Sequence, residues 1–177
     1  MTRQVALFRG INVGGHNKLP MAELREAFDA LGYANVGSII QSGNLCFDSD
    51  DDPAAIVTAI RSAVATRFDI DVPITLRSAH RFAAALAGHP FPLDGLEPKM
   101  HHIMFLTEPA PPDAEELIGD HSPDDYAVIG REIHVRYPTG SARSTLSVDL
   151  IDRKLSTIAT ARNLPTCQKI AAALTAP

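Results

Sequence analysis

Short apolar runs and helical stripes alternate along the chain, separated by glycine, proline and polar turn residues. Val5-Ala6-Leu7-Phe8 is an unbroken apolar run closed by Gly10, the pattern of a strand buried on both faces. Met21, Leu24, Phe28 and Leu31 then recur at steps of three and four, which predicts an amphipathic helix with Pro20 in its first turn and Gly32 just past its end. Val36 to Gln41 and Leu45 to Asp48 predict two strands joined through Ser42-Gly43-Asn44. Asp52 before Pro53 reads as an N-cap and first helical residue, and Val57, Ile60, Val64 and Phe68 line one face of the helix that follows. Val72 to Leu76 closes the series as a strand. The order is βαββαβ, the ferredoxin-like arrangement, in which two helices cover one face of a four-stranded antiparallel sheet. The other face is expected to stay open.

The pattern then restarts. A short helix containing Phe82 and Leu86 leads into the proline-rich, acidic HPFPLDGLEP, which reads as a connector. His102 to Leu106 predicts a strand, Asp113 to Ile118 a short helix, and Tyr126 to Ile129 with Ile133 to Tyr137 a hairpin turning at Gly130-Arg131. Leu146, Leu150, Ile151 and Leu155 mark a further helix, Ile158 to Ala161 a short strand, and Leu164 to Leu174 a last helix with Cys167, Ile170, Ala171 and Leu174 on one face. The fold class is therefore α+β: two tandem ferredoxin-like (βαββαβ) halves with antiparallel sheets and an extra C-terminal helix. The expected organisation is a first half over 1–77, a helix and linker over 78–100, and a second half with the terminal helix over 101–177. No residue-level repeat accompanies this order, so the duplication rests on the succession of elements alone.

Composition narrows the function classes. With 177 residues, 45% hydrophobic and 21% charged, the chain is an ordinary globular one that needs no metal or disulfide staple. A formal charge of −5 gives no long-range attraction for polyanions, and 6% aromatics with no tryptophan leave few rings for stacking bases. Charge is nonetheless uneven: residues 94–125 carry one basic residue against nine acidic, a net −8, whereas 126–177 carry seven basic against three acidic, a net +4. Cys46 and Cys167 are far apart and form no metal-ligand spacing, as expected of reduced thiols. No apolar stretch has the roughly 20 residues of a membrane span, and the apolar run at the N-terminus is too short for a signal peptide. A cytoplasmic location is expected, with no membrane partner.

The densest chemistry lies in Arg9-Gly10-Ile11-Asn12-Val13-Gly14-Gly15-His16-Asn17-Lys18, between a buried strand and a helix N-terminus. Backbone N–H groups and the helix dipole can hold an anion there, Gly14-Gly15 lets the backbone approach a ligand closely, and Arg9 and Lys18 supply charge. Gly10 and Gly15 reproduce the GxxxxG spacing of a P-loop, but His16-Asn17 stand where Lys and Ser or Thr are required, a near miss that argues against ATP hydrolysis by that mechanism. A turn needing positive φ explains the glycines equally well. Gln41-Ser42-Gly43-Asn44 concentrates amide and hydroxyl groups at a hairpin tip, where turn chemistry is the alternative to a ligand; adjacency of the first and third strands brings this tip toward the first loop. Arg162-Asn163 precede the last helix, where capping competes with a reach toward a shared anion site. The seven histidines are scattered, with no HxxxH or HExxH pairing, and His101 and His102 point to opposite faces of their strand, so neither a metal nor another cofactor is expected. No nucleophile elbow occurs, and Cys46 reads as a buried hydrophobe.

The run VALFRGINVGGHNKLPMAELREAFDALGY, followed by IIQSGN and later by RKL and TARN, resembles the bacterial family of uncharacterised proteins known as domain of unknown function sixteen ninety-seven. The resemblance implies a cytoplasmic α+β protein of two ferredoxin-like halves and no established activity. It singles out Arg9, Gly10, Asn12, Gly14, Gly15, Lys18, Gln41, Ser42, Gly43, Asn44, Lys154, Arg162 and Asn163. Leu164 stands where family members often carry an aromatic after the Arg-Asn pair, a departure that counts against a stacking role there.

The leading expectation is a protein that binds a small anionic or nucleotide-like ligand at the Arg9–Lys18 loop, with help from the QSGN turn and Arg162. Two alternatives stand beside it. One is single-stranded nucleic-acid binding on an open sheet face carrying Phe8 and Phe47, which the acidic charge disfavours; the other is a protein-interaction module, with pairing into a homo-oligomer. Arg, Lys, Asn and Gln side chains could stabilise an oxyanion, but no general base or nucleophile stands out, and catalytic residues stay unassigned.

Overall fold

The structure is a computed structural model that describes residues 1–12, 17–41 and 43–175. The elements run β1 (Thr2–Phe8), α1 (Met21–Ala30), β2 (Ala34–Ser38), β3 (Asn44–Ser49), α2 (Pro53–Phe68), β4 (Ile74–Ser78), α3 (Ala79–Ala87), β5 (His101–Leu106), α4 (Ala114–Ile118), β6 (Asp125–Ile129), β7 (Glu132–Arg136), α5 (Val148–Leu155), β8 (Ala159–Asn163) and α6 (Leu164–Thr175). Two βαββαβ halves are present. Contacts divide the chain into two compact units, one of Met1–Phe82 with the chain's end from Lys169, the other of Ala83–Gln168.

In the first unit the sheet order is β2-β3-β1-β4, all antiparallel, with Val5 opposite Cys46 on one side and Arg77 on the other. Ala6, Phe8, Leu45 and Phe47 form one core with Leu24 and Phe28 of α1 and Ile56, Ile60 and Val64 of α2. Aromatic rings interlock in it: Phe28 meets Phe47 edge-on at 5.2 Å between centroids, and Tyr33 stacks on Phe47 at 4.7 Å. Asp52 caps α2, its Oδ1 accepting from Ala54 N at 2.9 Å and Ala55 N at 3.3 Å, with Pro53 as first residue. The buried stripe of α2 begins at Ile56 rather than Val57, because 56, 60 and 64 keep a strict four-residue step.

The opposite face of this sheet is not open. Val5, Leu7 and Cys46 are fully buried, as nearly are Thr75 and Arg77. The unbroken apolar run of β1 already indicated burial on both faces, and that reading prevails over the one-sided covering expected of an isolated ferredoxin-like unit.

The second unit repeats the plan with the order β6-β7-β5-β8. Met104, Leu106, Ile133 and Val135 pack with Ile118 of α4 and with Ile151 and Leu155 of α5. Gly130-Arg131 is a two-residue turn, leaving Ile129 paired with Glu132. Ser147 caps α5, its Oγ accepting from Leu150 N at 3.2 Å. Ile103 and Phe105, on the other face, are fully buried as well.

Strand register reveals a residue-level repeat that the sequence read alone did not. Thr75-Leu76-Arg77-Ser78 ends β4 ahead of α3, and Thr160-Ala161-Arg162-Asn163 ends β8 ahead of α6. Arg77 pairs with Val5 of β1, and Arg162 with Ile103 of β5. Each guanidinium donates from Nη1 to the carbonyl of the residue just before it, at 2.8 Å in both cases. The shared pattern is Thr-x-Arg followed by a small polar residue, four positions too short to stand out without the register.

Candidate functional site

The first loop leaves β1 after Phe8, and its base is built by one side chain. Asn12, at φ +56°, accepts from Leu19 N through Oδ1 at 2.9 Å and donates from Nδ2 to Leu19 O at 2.9 Å, as a strand partner would. The same Nδ2 donates to Gln41 O at 2.9 Å, while the Asn12 backbone N–H donates to Asn17 O at 3.1 Å. Asn17 returns a side-chain bond to Gly10 O at 3.2 Å. Asparagine suits this post because it tolerates left-handed backbone and carries a donor and an acceptor on one short arm. The segment containing Asn12 and the turn containing Gln41 are thus brought together, as strand adjacency indicated.

The turn is locked from below. Gly43 has φ +75°, and a Cβ on it would lie 2.5 Å from Ile11 Cδ1, 2.7 Å from Ile11 Cγ1 and 2.8 Å from Phe8 Cβ. Its carbonyl accepts from Phe8 N at 2.8 Å. Asn44, fully buried, donates from Nδ2 to Ile39 O at 3.0 Å and accepts at its carbonyl from Ile39 N at 2.9 Å. Asn12, Gly43 and Asn44 therefore serve the scaffold of the site. Around this base Gly10, Asn17, Lys18 and Gln41 are exposed, and Arg9 is half-buried with its backbone N–H donating to Pro73 O at 3.0 Å. Gly14, Gly15 and Ser42 lie outside the described residues, as do Val13 and His16.

Among the described residues the loop delivers the chain to α1 without a side-chain cap. Pro20 occupies the N-cap, one position earlier than expected; it has no side-chain acceptor for the N–H groups of the first turn, whereas Asp52 and Ser147 cap α2 and α5. Glu23 places a carboxylate in that first turn.

The family model described as "Protein of unknown function (DUF1697)" matches residues 1–134. The chain belongs to the DUF1697 family. Among solved structures it is similar to the conserved bacterial protein SP0830 from Streptococcus pneumoniae, with a TM-score of 0.75 and 28% identity over 98% of this chain and 99% of that one. No curated protein matches. The matched span of the DUF1697 chain holds the first loop and the hairpin tip and ends before Lys154, Arg162 and Asn163.

Those three residues belong to the second unit, where local partners occupy two of them. Asn163 Oδ1 accepts from Thr166 N at 3.0 Å and so caps α6. Arg162 donates to Ala161 O, and burial pushes its guanidinium down to about 10. Lys154 is exposed in the last turn of α5, where a cation suits the helix dipole.

Phe8 and Phe47 are fully buried against the helices, so neither ring of this DUF1697 chain can stack a base. Cys46 is buried in β3 and its thiol is pushed up to about 11 by desolvation, which leaves it a packing residue. Among the described residues no group of three or more His, Cys, Asp or Glu could hold a metal ion, and no helix is long and apolar enough to cross a membrane.

Sequence reading missed one cluster. Three of the seven apparently scattered histidines meet in the second unit: His89 Nδ1 lies 3.1 Å from His134 Nδ1, and His89 Nε2 lies 3.0 Å from His101 Nδ1. Only register could have found it, since His101 and His134 sit on β5 and β7 one pair apart on the same face, Ile103 pairing with His134. His102 points the other way, onto the Tyr137 ring at 5.1 Å, as alternation along a strand requires.

Proposed function

We propose that this DUF1697 protein binds a small anionic or nucleotide-like ligand at the Arg9–Lys18 loop, in the cytoplasm. The observation that carries the reading is the Asn12 clamp: it ties the loop to Leu19 and Gln41 and leaves Gly10, Lys18 and the Gln41 side chain exposed around an α1 N-terminus that no side chain among the described residues caps. Uncapped first-turn N–H groups attract negative charge, Lys18 and Arg9 supply cations on the same loop, and a pre-fixed loop base lowers the ordering cost of binding. On this reading Gly10 gives close backbone approach, and Gly14, Gly15 and Ser42, outside the described residues, are assigned to the same ligand site; Asn12, Gly43 and Asn44 hold the frame. Glu23, in that first turn, is ion-paired with Arg67 of α2 at 3.6 Å, which offsets its charge beside the helix N-terminus.

A thermal-shift panel of phosphate, pyrophosphate and nucleotides tests this. At a ligand concentration 100 times the dissociation constant, binding adds about 2.7 kcal/mol, and each kcal/mol raises the melting temperature of a chain this size by about 2–4 °C. At least one anion should therefore raise it by about 5 °C or more, and Arg9→Ala with Lys18→Ala should remove the shift. A wild type unmoved by every anion, or a double variant that shifts equally, refutes the reading.

A further inference from the structure

The histidine cluster of the second unit lies outside the loop and serves none of the chemistry above. His101 and His134 are buried on the strands β5 and β7, and His89 bridges them from the start of the connector that follows α3. A shared metal ion does not suit the geometry: His89 offers its two ring nitrogens to different partners on opposite edges of one ring, so no single point is reached by all three side chains. What remains is a chain of three imidazoles linked by two N···N hydrogen bonds.

Proton counting fixes how such a chain behaves. Three neutral rings carry three N–H groups. Two of them fill the two bonds, and the third sits at one end, on His101 Nε2 or His134 Nε2. His101 Nε2 is buried and has no hydrogen-bond partner among the described residues. The neutral chain avoids a stranded donor by running from His101 Nδ1–H to His89 Nε2 and from His89 Nδ1–H to His134 Nδ1. A first added proton must put an N–H on His101 Nε2, a buried donor with no acceptor. A second must set two N–H groups against each other in one of the bonds and break it. The charged groups on this face sharpen the penalty or share it: Arg136 of β7 opposes a positive charge on His101, Asp94 of the connector favours one, Asp125 of β6 holds Arg136 at 2.6 Å, and Glu132 of β7 and Arg162 of β8 complete the face. Desolvation holds His89 and His134 down to about 4, and lowers His101 as well.

We infer that the His134–His89–His101 chain is an acid-released latch that fastens the connector beginning at His89 onto the second sheet. Phe91 rides on the latch, its ring edge-on to His89 at 5.7 Å, so release at His89 frees an apolar side chain together with the connector backbone. The device is regulatory and independent of the loop in the first unit; a failed ligand screen leaves it intact.

Hydrogen exchange on the full chain between pH 7 and pH 4.5, corrected for intrinsic rates, tests the latch. The amides of His89 and Leu96, which donate to Leu86 O and Leu93 O, should lose protection by about tenfold per pH unit below pH 6, one proton's worth, while β5 and β7 keep theirs. In His89→Leu the same amides should show no such pH dependence. Wild-type connector protection that is flat with pH, or that falls only together with the strands, overturns the proposal. Should the variant not fold, nitrogen-15 spectra of the wild-type imidazoles decide: three rings still neutral at pH 5.5 support the latch, and a ring titrating near 6.5 refutes it.

Discussion

Replacing Gly43 with alanine separates close packing from backbone strain at the joint between the two motifs. The new Cβ would lie 2.5 Å from Ile11 Cδ1 and 2.8 Å from Phe8 Cβ, and Phe8 Cβ, fixed to its strand backbone, cannot swing away. Left-handed backbone costs an alanine about 1–2 kcal/mol, and forcing a methyl into a packed site costs about 1–3 kcal/mol, so the variant should lose about 2–5 kcal/mol. Gly10 supplies the control: it has φ +65° but no described atom within 4 Å of its Cβ position, so Gly10→Ala should lose only the strain, about 1–2 kcal/mol. Urea unfolding of both variants reads the difference as a shift in midpoint at constant slope. Ile11→Val deletes the nearest atom and should restore part of the Gly43→Ala loss, but not the part owed to Phe8. Equal losses at Gly43 and Gly10 would refute the claim that Gly43 is there to let the turn close onto β1.

Other perturbations have equally definite outcomes. Asn12→Ala removes three side-chain bonds to the backbone and should cost about 1–3 kcal/mol by denaturant unfolding, and Asn12→Asp should be no better, because it sets a carboxylate against the Leu19 and Gln41 carbonyls. Asp52→Ala should cost about 0.5–2 kcal/mol through the lost cap of α2, measured the same way. Acid should weaken the fold through histidine: His89, His102 and His134 are held down to about 4, against an ordinary value near 6.5, so the unfolded chain takes up protons first as pH falls. Stability is therefore full above pH 6.5 and is lost progressively toward pH 4, at about 1.4 kcal/mol per pH unit for each net proton, which unfolding midpoints across that range will register.

Local signals were the legible part of this chain. Asp52-Pro53, the two-residue turn at Gly130-Arg131 and the spacing of Met21, Leu24 and Phe28 each specify their element through contacts within a few residues, and the structure has them where the pattern put them. What depended on distant partners was not legible. An open second sheet face was expected from fold type, although Val5 and Leu7 already argued for burial. The role of Asn12 emerges only when Leu19 and Gln41 arrive at its two ends, since the same residue at a loop tip would read as plain turn chemistry. The histidine chain joins residues 12 and 45 positions apart, which no spacing rule connects. Arg77 and Arg162 hide their equivalence in a four-residue similarity that strand pairing alone aligns.

The most direct test of anion binding at the first loop is an amide shift map of the nitrogen-15-labelled protein titrated with pyrophosphate. Binding at the loop should produce saturable shifts centred on Gly10, Lys18 and the first turn of α1, with Gln41 following and the second unit silent. Shifts centred elsewhere, or none at millimolar pyrophosphate, would contradict it.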